Sequence, residues 1–124
     1  MSRPAWIVDL DGTLAIRGDR SPFAWDRVGE DEPNTPVVIA TQALVAHPTS
    51  PAIILVPGRD EECRFQTTMW LDAQDVPFDE LHMRPAGDRR PDEVLKEAIY
   101  RDTIEGNSGL MAKMCVWLSA CRLG

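Results

Sequence analysis

The chain has 124 residues, with 13 basic and 20 acidic side chains and a net charge of −7. This length allows one domain, and a hydrophobic content of 44% excludes a disordered chain. The acidic balance excludes a long nucleic-acid groove, because such a groove neutralises many phosphates with Lys and Arg. A site that holds a single phosphate remains compatible with the composition.

The charge is unevenly placed along the chain. Residues 1–106 contain 20 acidic and 11 basic side chains, a charge of −9, whereas residues 107–124 contain two basic side chains and no acid. We therefore predict one folded domain over residues 1–106, followed by a divergent apolar tail over residues 107–124.

The cysteines and the N-terminus predict a protein of the cytoplasm. Cys63, Cys115 and Cys121 form no framework of close pairs, so we expect thiols in a reducing compartment and no zinc site. The N-terminus has no signal-peptide pattern, and no apolar run is long enough to cross a bilayer. We expect a soluble, cytoplasmic chain without a membrane partner.

Apolar runs and helical patterns alternate along the domain. Short apolar runs bounded by turn residues predict buried strands over residues 5–10 and 52–56 and a short strand over residues 81–84. Residues 114–118 are a candidate for a later strand. Caps and apolar periodicity predict helices over residues 35–46, 61–74 and 91–105, and a polar loop over residues 29–33. In the second helix, Phe65, Met69 and Ala73 form the predicted apolar stripe, and Met69 and Trp70 are expected in the core. This alternation predicts an α/β fold, a Rossmann-like parallel sheet flanked by helices.

Two carboxylates follow the first predicted strand. Ligands of such sheets lie beyond the carboxyl ends of the strands, where this chain has Asp9 and Asp11. A carboxylate can attack phosphorus and form an aspartyl-phosphate, so Asp9 is a candidate nucleophile. Asp11 can protonate the leaving oxygen and later deprotonate water. Gly12 permits a tight turn, and Thr13 adds a hydroxyl group.

Two other interpretations of these acids fit the sequence less well. A calcium loop would need Gly at its sixth position and Glu at its twelfth, where this chain has Leu14 and Arg20. A turn with two exposed acids is the other interpretation. Two acids that meet Gly-Thr directly after an apolar strand favour a catalytic motif.

The motifs resemble those of a known family. Asp9-Leu10-Asp11-Gly12-Thr13-Leu14-Ala15 resembles the first motif of haloacid-dehalogenase-type phosphohydrolases. Over about residues 6–105 the order and spacing are similar to the 3′-phosphatase domain of phage-type polynucleotide kinase. The further matching positions are Arg20, Trp25, Pro57-Gly58-Arg59, Thr68-x-Trp70-Leu71, Met83-Arg84-Pro85, Gly87-Asp88-x-Arg90 and Asp92-x-x-x-Lys96.

The resemblance implies a role for each matching residue. Asp9 would be the nucleophile and, with the main-chain carbonyl of Asp11, a ligand of Mg²⁺, while the Asp11 side chain would be the general acid and base. Lys96 would neutralise charge on the transferring phosphoryl group. The implied substrate-binding residues are Gly12, Thr13, Arg20, Gly58, Arg59, Arg84 and Asp92, the last of which would orient Lys96.

The residues alone leave blander interpretations open for three of these positions. Arg20 lies in a polar loop, where arginines are commonly solvated. Lys96 could belong to an exposed charge pattern with Glu93 and Glu97. Asp92 could simply favour a helix N-terminus.

The sequence departs from the family pattern at two places. Pro57 stands where the family has Ser or Thr, and proline supplies neither a hydroxyl nor an N–H. The family also has an acidic pair after a later strand, whereas this chain has Ser119 and Ala120 there and no acid after Glu105. Asp9 alone would make a weak magnesium site. One hypothesis is that the tail is a non-native continuation, through truncation or a shifted reading frame.

The resemblance implies a Mg²⁺-dependent phosphomonoesterase that removes a 3′-phosphate from the end of DNA or RNA. A second interpretation keeps the chemistry and changes the substrate to a nucleotide or another small phosphate. A third is a catalytically impaired domain that binds phosphate ends or a partner.

Overall fold

A computed structural model of the protein describes residues 3–21, 24–102 and 110–118. The strands in chain order are β1 (Arg3–Val8), β2 (Ala15–Ile16), β3 (Glu32–Pro33), β4 (Ala52–Leu55), β5 (Glu80–Leu81) and β6 (Leu110–Leu118). The helices are α1 (Thr35–Ala46), α2 (Arg64–Ala73) and α3 (Asp92–Tyr100).

Four strands form one sheet in the order β5-β4-β1-β6, and every neighbouring pair is parallel. The two short strands β2 and β3 form a separate antiparallel pair. Parallel strands joined through helices confirm the predicted Rossmann-like α/β class. The candidate strand over residues 114–118 lies within β6.

Alternate residues of β1 and β4 pack on opposite faces of the sheet. One face meets α1 and α2 in a cluster that contains Val8, Ile53, Leu55, Val38, Trp70 and Leu71. The other face meets α3, in a cluster of Ala5, Ile7, Ala52, Ile54 and Val56 with Ile99 and Tyr100. Because both faces are buried, the central strands are continuous apolar runs rather than alternating ones.

The first helix agrees with its prediction and the second corrects it. Helix α1 begins after Asn34 and ends at Ala46, as predicted. The predicted helix over residues 61–74 divides into a 3₁₀ helix, Glu61–Cys63, and α2. The expected apolar stripe is wrong, since Phe65 is 72% exposed and Met69 is 57% exposed.

The core-facing side of α2 consists of Thr67, Trp70 and Leu71, at the i, i+3, i+4 spacing of one helix face. The expectation of a core position is thus confirmed for Trp70 and wrong for Met69. The 3₁₀ turn Glu61–Cys63 ends where α2 begins, at Arg64.

Several predicted elements end earlier in the structure. Strand β1 stops at Val8 because the Leu10 carbonyl already accepts the N–H groups of Leu14 and Ala15 in a turn. Strand β5 has two residues, and Arg84 beyond it forms only an isolated bridge with Asp60. Helix α3 is Asp92–Tyr100, and the predicted helix end at residue 105 lies outside the described residues.

The predicted boundary at residue 106 and the positions of Ser119 and Ala120 lie outside the described residues. The hypothesis about the origin of the tail stays a prediction. Among the described helices, none is long and apolar enough to cross a membrane.

The segment before α1 has more structure than the predicted polar loop. A 3₁₀ helix, Trp25–Glu30, leads into β3 and places Asp31 in the interior, with 5% of the residue exposed. The indole Nε1 of Trp70 donates to the Asp31 carbonyl at 2.7 Å. This contact fixes the segment on α2.

Candidate active site

Asp9 continues the alternation of β1 beyond the end of the strand. Ala5 and Ile7 face α3, so the next odd position faces α3 as well. There Asp9 Oδ2 lies 3.0 Å from Lys96 Nζ, and Asp9 Oδ1 accepts the N–H of Leu10 at 2.8 Å. The carboxylate is partly buried beside a cation.

Burial and charge act in opposite directions on this ion pair. Burial raises the pKa of Asp9 above its ordinary value, although Lys96 and the Leu10 N–H partly oppose the rise. Burial by itself would lower the pKa of Lys96, but the charges and hydrogen bonds of Asp9 and Asp92 outweigh it and raise that pKa. Lys96 is therefore a cation at neutral pH.

Asp92 holds Lys96 from the first turn of α3. Its Oδ2 lies 3.0 Å from Lys96 Nζ, one helical turn along the chain. Asp92 also lies against Gly58, where an added Cβ would overlap the carboxylate oxygen. Only glycine leaves room for this approach. Asp92 is thus fixed between the turn after β4 and Lys96.

Asp11 lies in a tight turn after β1. Gly12 has a φ of +78°, which glycine adopts without strain, and its N–H donates to the Ala15 carbonyl at 2.8 Å. The Asp11 side chain is 42% exposed. The Arg59 guanidinium donates two hydrogen bonds to Asp11 Oδ1, from Nη2 at 2.8 Å and from Nε at 3.0 Å.

Asp31 joins two buried arginines into one network. Arg20 donates Nε and Nη2 to the two Asp31 oxygens, each at 2.9 Å, and Arg59 donates Nη2 to Oδ2 at 2.7 Å. Arg59 also donates Nη1 to Thr67 Oγ1 at 3.2 Å. The interpretation of Arg20 as a solvated side chain is wrong, because the residue is 3% exposed. The hydrogen bonds that Arg20 donates to Asp31 raise the pKa of the Arg20 guanidinium.

Sequence reasoning missed Asp31 entirely. It lies between Glu30 and Glu32 in a stretch that resembles any acidic surface loop. A possible signal is that two arginines predicted to be in one site need buried acidic partners, since buried charges are paired.

A cleft of about 550 Å³ lies above these groups. It brings together most of the predicted site residues: Asp9, Asp11, Gly12, Arg20, Gly58, Asp92 and Lys96. Ile16, Arg17, Gly18 and Trp25 complete the lining. The arrangement places a carboxylate, a cation and a second carboxylate around one space large enough for a phosphate group.

Three predicted site residues do not line this cleft. Thr13 is buried, at 2% exposure, and Arg59 lies behind Asp11 at 1% exposure. Arg84 lines a second cleft of about 530 Å³, which shares Trp25 and Gly58 with the first. The Arg84 guanidinium donates to the carbonyls of Gly58 and Arg90, at 3.2 Å and 2.6 Å. Arg84 therefore fastens the loop before α3 to the turn after β4.

The acidic donors of the cleft are few. In residues 3–21, 24–102 and 110–118, no group of three His, Cys, Asp or Glu residues is arranged to hold a metal ion. Asp9 is engaged by Lys96, and Asp11 by Arg59. Magnesium is commonly held by one or two carboxylates together with waters and substrate phosphate, and this donor set fits a shared ion of that kind.

The fold and the sequence are similar to proteins of polynucleotide repair. The "Putative bifunctional polynucleotide kinase/RNA ligase" of Autographa californica nuclear polyhedrosis virus is 32% identical over 110 residues, which cover 87% of this chain and 16% of that protein. A chain in the "Structure of Pnkp1/Rnl/Hen1 complex" matches with a TM-score of 0.80 and 30% identity, over 88% of this chain and 37% of that one. A chain in the "Structure of the Pnkp1/Rnl/Hen1 RNA repair complex" matches with a TM-score of 0.80 and 28% identity, over 90% and 35%.

This chain therefore spans well under half of the length of these relatives. Residues 3–112 match a family described as the polynucleotide kinase PNKP phosphatase domain. This match confirms the family that the motifs indicated. The chain belongs to the polynucleotide kinase PNKP phosphatase domain family, a haloacid-dehalogenase-like family of phosphohydrolases.

Proposed function

We propose that the protein is a Mg²⁺-dependent phosphomonoesterase that removes the 3′-phosphate from a DNA or RNA end through an aspartyl-phosphate on Asp9. The observation that carries this proposal is the contact of Lys96 Nζ with Asp9 Oδ2, at the end of β1 and facing the cleft. A carboxylate nucleophile beside a fixed cation suits phosphoryl transfer, because the cation offsets the negative charge of the incoming phosphate.

In the first step, an Asp9 oxygen attacks phosphorus and the bond between phosphorus and the 3′-oxygen breaks. Asp11 gives its proton to that oxygen, so the leaving group departs as an alcohol. Its carboxylate lies two residues beyond Asp9 on the same cleft and is partly exposed, where it can exchange protons with water.

In the second step, water attacks the phosphorus of the aspartyl-phosphate. Asp11 takes the proton from this water, and the bond between phosphorus and the Asp9 oxygen breaks. Inorganic phosphate and the starting form of both carboxylates result. Lys96 stays beside Asp9 in both steps and stabilises the charge on the transferring group.

The two arginines contribute differently in this proposal. Both arginines are buried, but Arg20 lines the cleft, whereas Arg59 lies behind Asp11 and does not line it. We assign Arg59 the positioning of Asp11, since its guanidinium binds that carboxylate with Nη2 and Nε. Asp31 keeps both guanidinium groups in place.

The proposed reaction uses a Mg²⁺ ion bound near the end of β1. The Asp9 carboxylate and the main-chain carbonyl of Asp11 would hold it, together with oxygens of the substrate phosphate. The ion would supply positive charge on the phosphate oxygens. With so few protein ligands, we expect binding of Mg²⁺ to depend strongly on the presence of substrate.

The choice of a nucleic-acid end follows from the relatives. The solved relatives belong to an RNA repair complex, and the viral relative carries polynucleotide kinase and RNA ligase in its name. A 3′-phosphatase removes a group that blocks ligation, so the proposed reaction is compatible with the RNA ligase that the viral relative's name contains. The net charge of −7 is compatible with this substrate, because one terminal phosphate needs only local cations.

A second candidate is a domain that binds phosphate ends without turnover. Pro57, which is buried just after β4, offers no donor toward the phosphate, and no acid follows Glu105 in the sequence. Loss of one such donor typically costs about 10²- to 10³-fold in rate. This candidate predicts binding in the cleft with no release of phosphate.

Phosphate release from a 3′-phosphorylated oligonucleotide and from an aryl phosphate distinguishes these candidates. The natural chain and Asp9→Asn are compared, each with Mg²⁺ and with a chelator. The proposal expects release by the natural chain with Mg²⁺ from the oligonucleotide. Equal background in both proteins would leave the binding domain, and release from the aryl phosphate alone would remove the nucleic-acid assignment.

A further inference from the structure

The second cleft adjoins the candidate active site. It has a volume of about 530 Å³ and is lined by Trp25, Gly58, Asp60, Arg84, Asp88, Arg89 and Arg90. Trp25 and Gly58 also line the first cleft. A ligand that extends from the phosphate site past Trp25 would therefore enter this second space.

The second cleft offers one cation to a ligand. Arg84 is occupied by main-chain carbonyls, and Arg90 pairs with Asp88 at 2.7 Å. Arg89 is exposed and makes no ion pair within the part of the chain that the structure describes. Among the described residues that line this cleft, Arg89 is therefore the arginine that remains available to an anionic ligand, and Asp60 adds a carboxylate to the same lining.

Trp25 forms the wall between the two clefts. The residue is half-buried and packs against the core cluster beneath it, which holds the indole in place. Aromatic side chains in this position are the usual platforms for bases of single-stranded nucleic acid, because every base has a π-face. Trp25 thus lies between the proposed phosphate site and the cleft that Arg89 lines.

We propose that the second cleft binds the strand that carries the terminal phosphate, as single-stranded nucleic acid. The terminal base stacks on Trp25, and the phosphodiester on its 5′ side is bound by Arg89. The inference rests on the proposed function for the direction of the strand. It explains how an acidic protein recognises a nucleic-acid end with a grip only one or two phosphates long.

The test compares substrates of increasing length that share the same reacting group. Values of kcat/KM are measured for a nucleoside 3′-monophosphate, a 3′-phosphorylated dinucleotide and an aryl phosphate. We expect the dinucleotide to exceed the mononucleotide by roughly fivefold or more, with a gain that shrinks at high salt. Arg89→Ala should reduce the dinucleotide-to-mononucleotide ratio by roughly threefold or more.

Two further variants control this comparison. Arg101→Ala removes one exposed arginine that lines neither cleft, and it should leave the ratio at the natural value. Trp25→Leu keeps apolar bulk against the core but removes the stacking face, and it should lower the ratio by roughly fivefold or more. Thermal unfolding of each variant shows whether the fold is retained.

Binding of a labelled tetranucleotide with a 3′-hydroxyl, measured by fluorescence anisotropy, separates the two proposals. If no phosphate is released from any substrate and Arg89→Ala still weakens this binding, the phosphatase proposal fails and the strand site stands. If the aryl phosphate is hydrolysed, while chain length and Arg89→Ala change neither rate nor binding, the strand site is overturned and the phosphatase stands. If there is neither turnover nor binding, both proposals fail.

Discussion

Lys96 Nζ lies 3.0 Å from Asp9 Oδ2. The same ammonium group lies 3.0 Å from Asp92 Oδ2, so one cation joins the end of β1 to the first turn of α3. Asp92 and Lys96 follow Asp9 by 83 and 87 positions in the sequence. The packing of α3 on one face of the sheet brings the three residues together. The proposed chemistry depends on this contact.

The pH dependence of activity should show the burial of Asp9. Because burial raises the pKa of Asp9, the nucleophile becomes protonated at a pH above the ordinary carboxyl value of 3.8. Activity is therefore lost as pH falls through this raised pKa. Lys96 lowers the pKa of Asp9, so Lys96→Ala should move the acid limb of kcat/KM to higher pH. The same substitution should also reduce the rate by about 10²-fold or more.

Lys96→Arg is the matched control for this profile, because it keeps a positive charge near Asp9. Its acid limb should stay close to that of the natural chain, although the rate falls. An acid limb that moves to lower pH in Lys96→Ala would contradict the assigned role of Lys96.

Gly58→Ala should disturb Lys96 without touching it. The added methyl group would overlap Asp92 Oδ1, so Asp92 must move away from Lys96. We expect kcat to fall by about tenfold or more, because a misplaced catalytic group is costly. Gly29→Ala is the matched control, since no atom lies within 4 Å of its added Cβ.

A double-mutant cycle tests the cause of the Gly58→Ala effect. In an Asp92→Ala background, the methyl group at position 58 meets no carboxylate and should cost little further activity. Equal losses in both backgrounds would show that Gly58 acts through some other contact.

Asp31→Asn should destabilise the fold. It removes the carboxylate that pairs with Arg20 and Arg59, and it leaves two buried guanidinium groups under-compensated. Such a loss typically costs about 3–5 kcal/mol of the free energy of unfolding. Denaturant unfolding measures the change, and Glu30→Gln, which affects an exposed pair with Arg27, should change it little. Equal effects of the two substitutions would contradict the structural role of Asp31.

The apolar runs were sufficient to predict the α/β class and the position of Asp9, whereas Lys96 and Asp92 were assigned to the site only by the family resemblance. Buried parallel strands are recognisable as continuous apolar runs, and the polar residues after them meet at one edge of the sheet. This reasoning places Asp9 at the site, whereas Asp92 and Lys96 lie on α3 and reach Asp9 because that helix packs on the adjoining face of the sheet. Their roles in catalysis stay predictions.

Other features depend on contacts that local patterns do not contain. The burial of Arg20 requires Asp31, which lies 11 residues away along the chain. Asp31 stands between a 3₁₀ helix and a two-residue strand, and both are too short to give a periodic signal. Phe65 and Met69 have helical spacing, but the sheet meets the other face of α2. Sequence spacing gives the period of a helix and leaves its rotation to tertiary packing.

Pro57→Ser should increase activity if Pro57 weakens the site. The residue is buried two positions after β4, next to Gly58, which lines the cleft, and serine would restore one hydroxyl donor there. A single donor of this kind is typically worth about 10²-fold, so we expect an increase of about tenfold or more. Phosphate release at saturating substrate measures it. No change in a folded Pro57→Ser protein would show that this position does not limit the rate.

Covalent labelling of Asp9 tests the central claim most directly. The natural chain is mixed with an oligonucleotide whose 3′-phosphate is radiolabelled, quenched in acid during turnover, and digested for peptide mapping. We predict label on the peptide that contains Asp9 and none in Asp9→Asn. That variant should be at least as stable as the natural chain near neutral pH, because the raised pKa of Asp9 means that folding disfavours its ionised form. Phosphate release by Asp9→Asn at the natural rate, or label on another residue, would contradict the account.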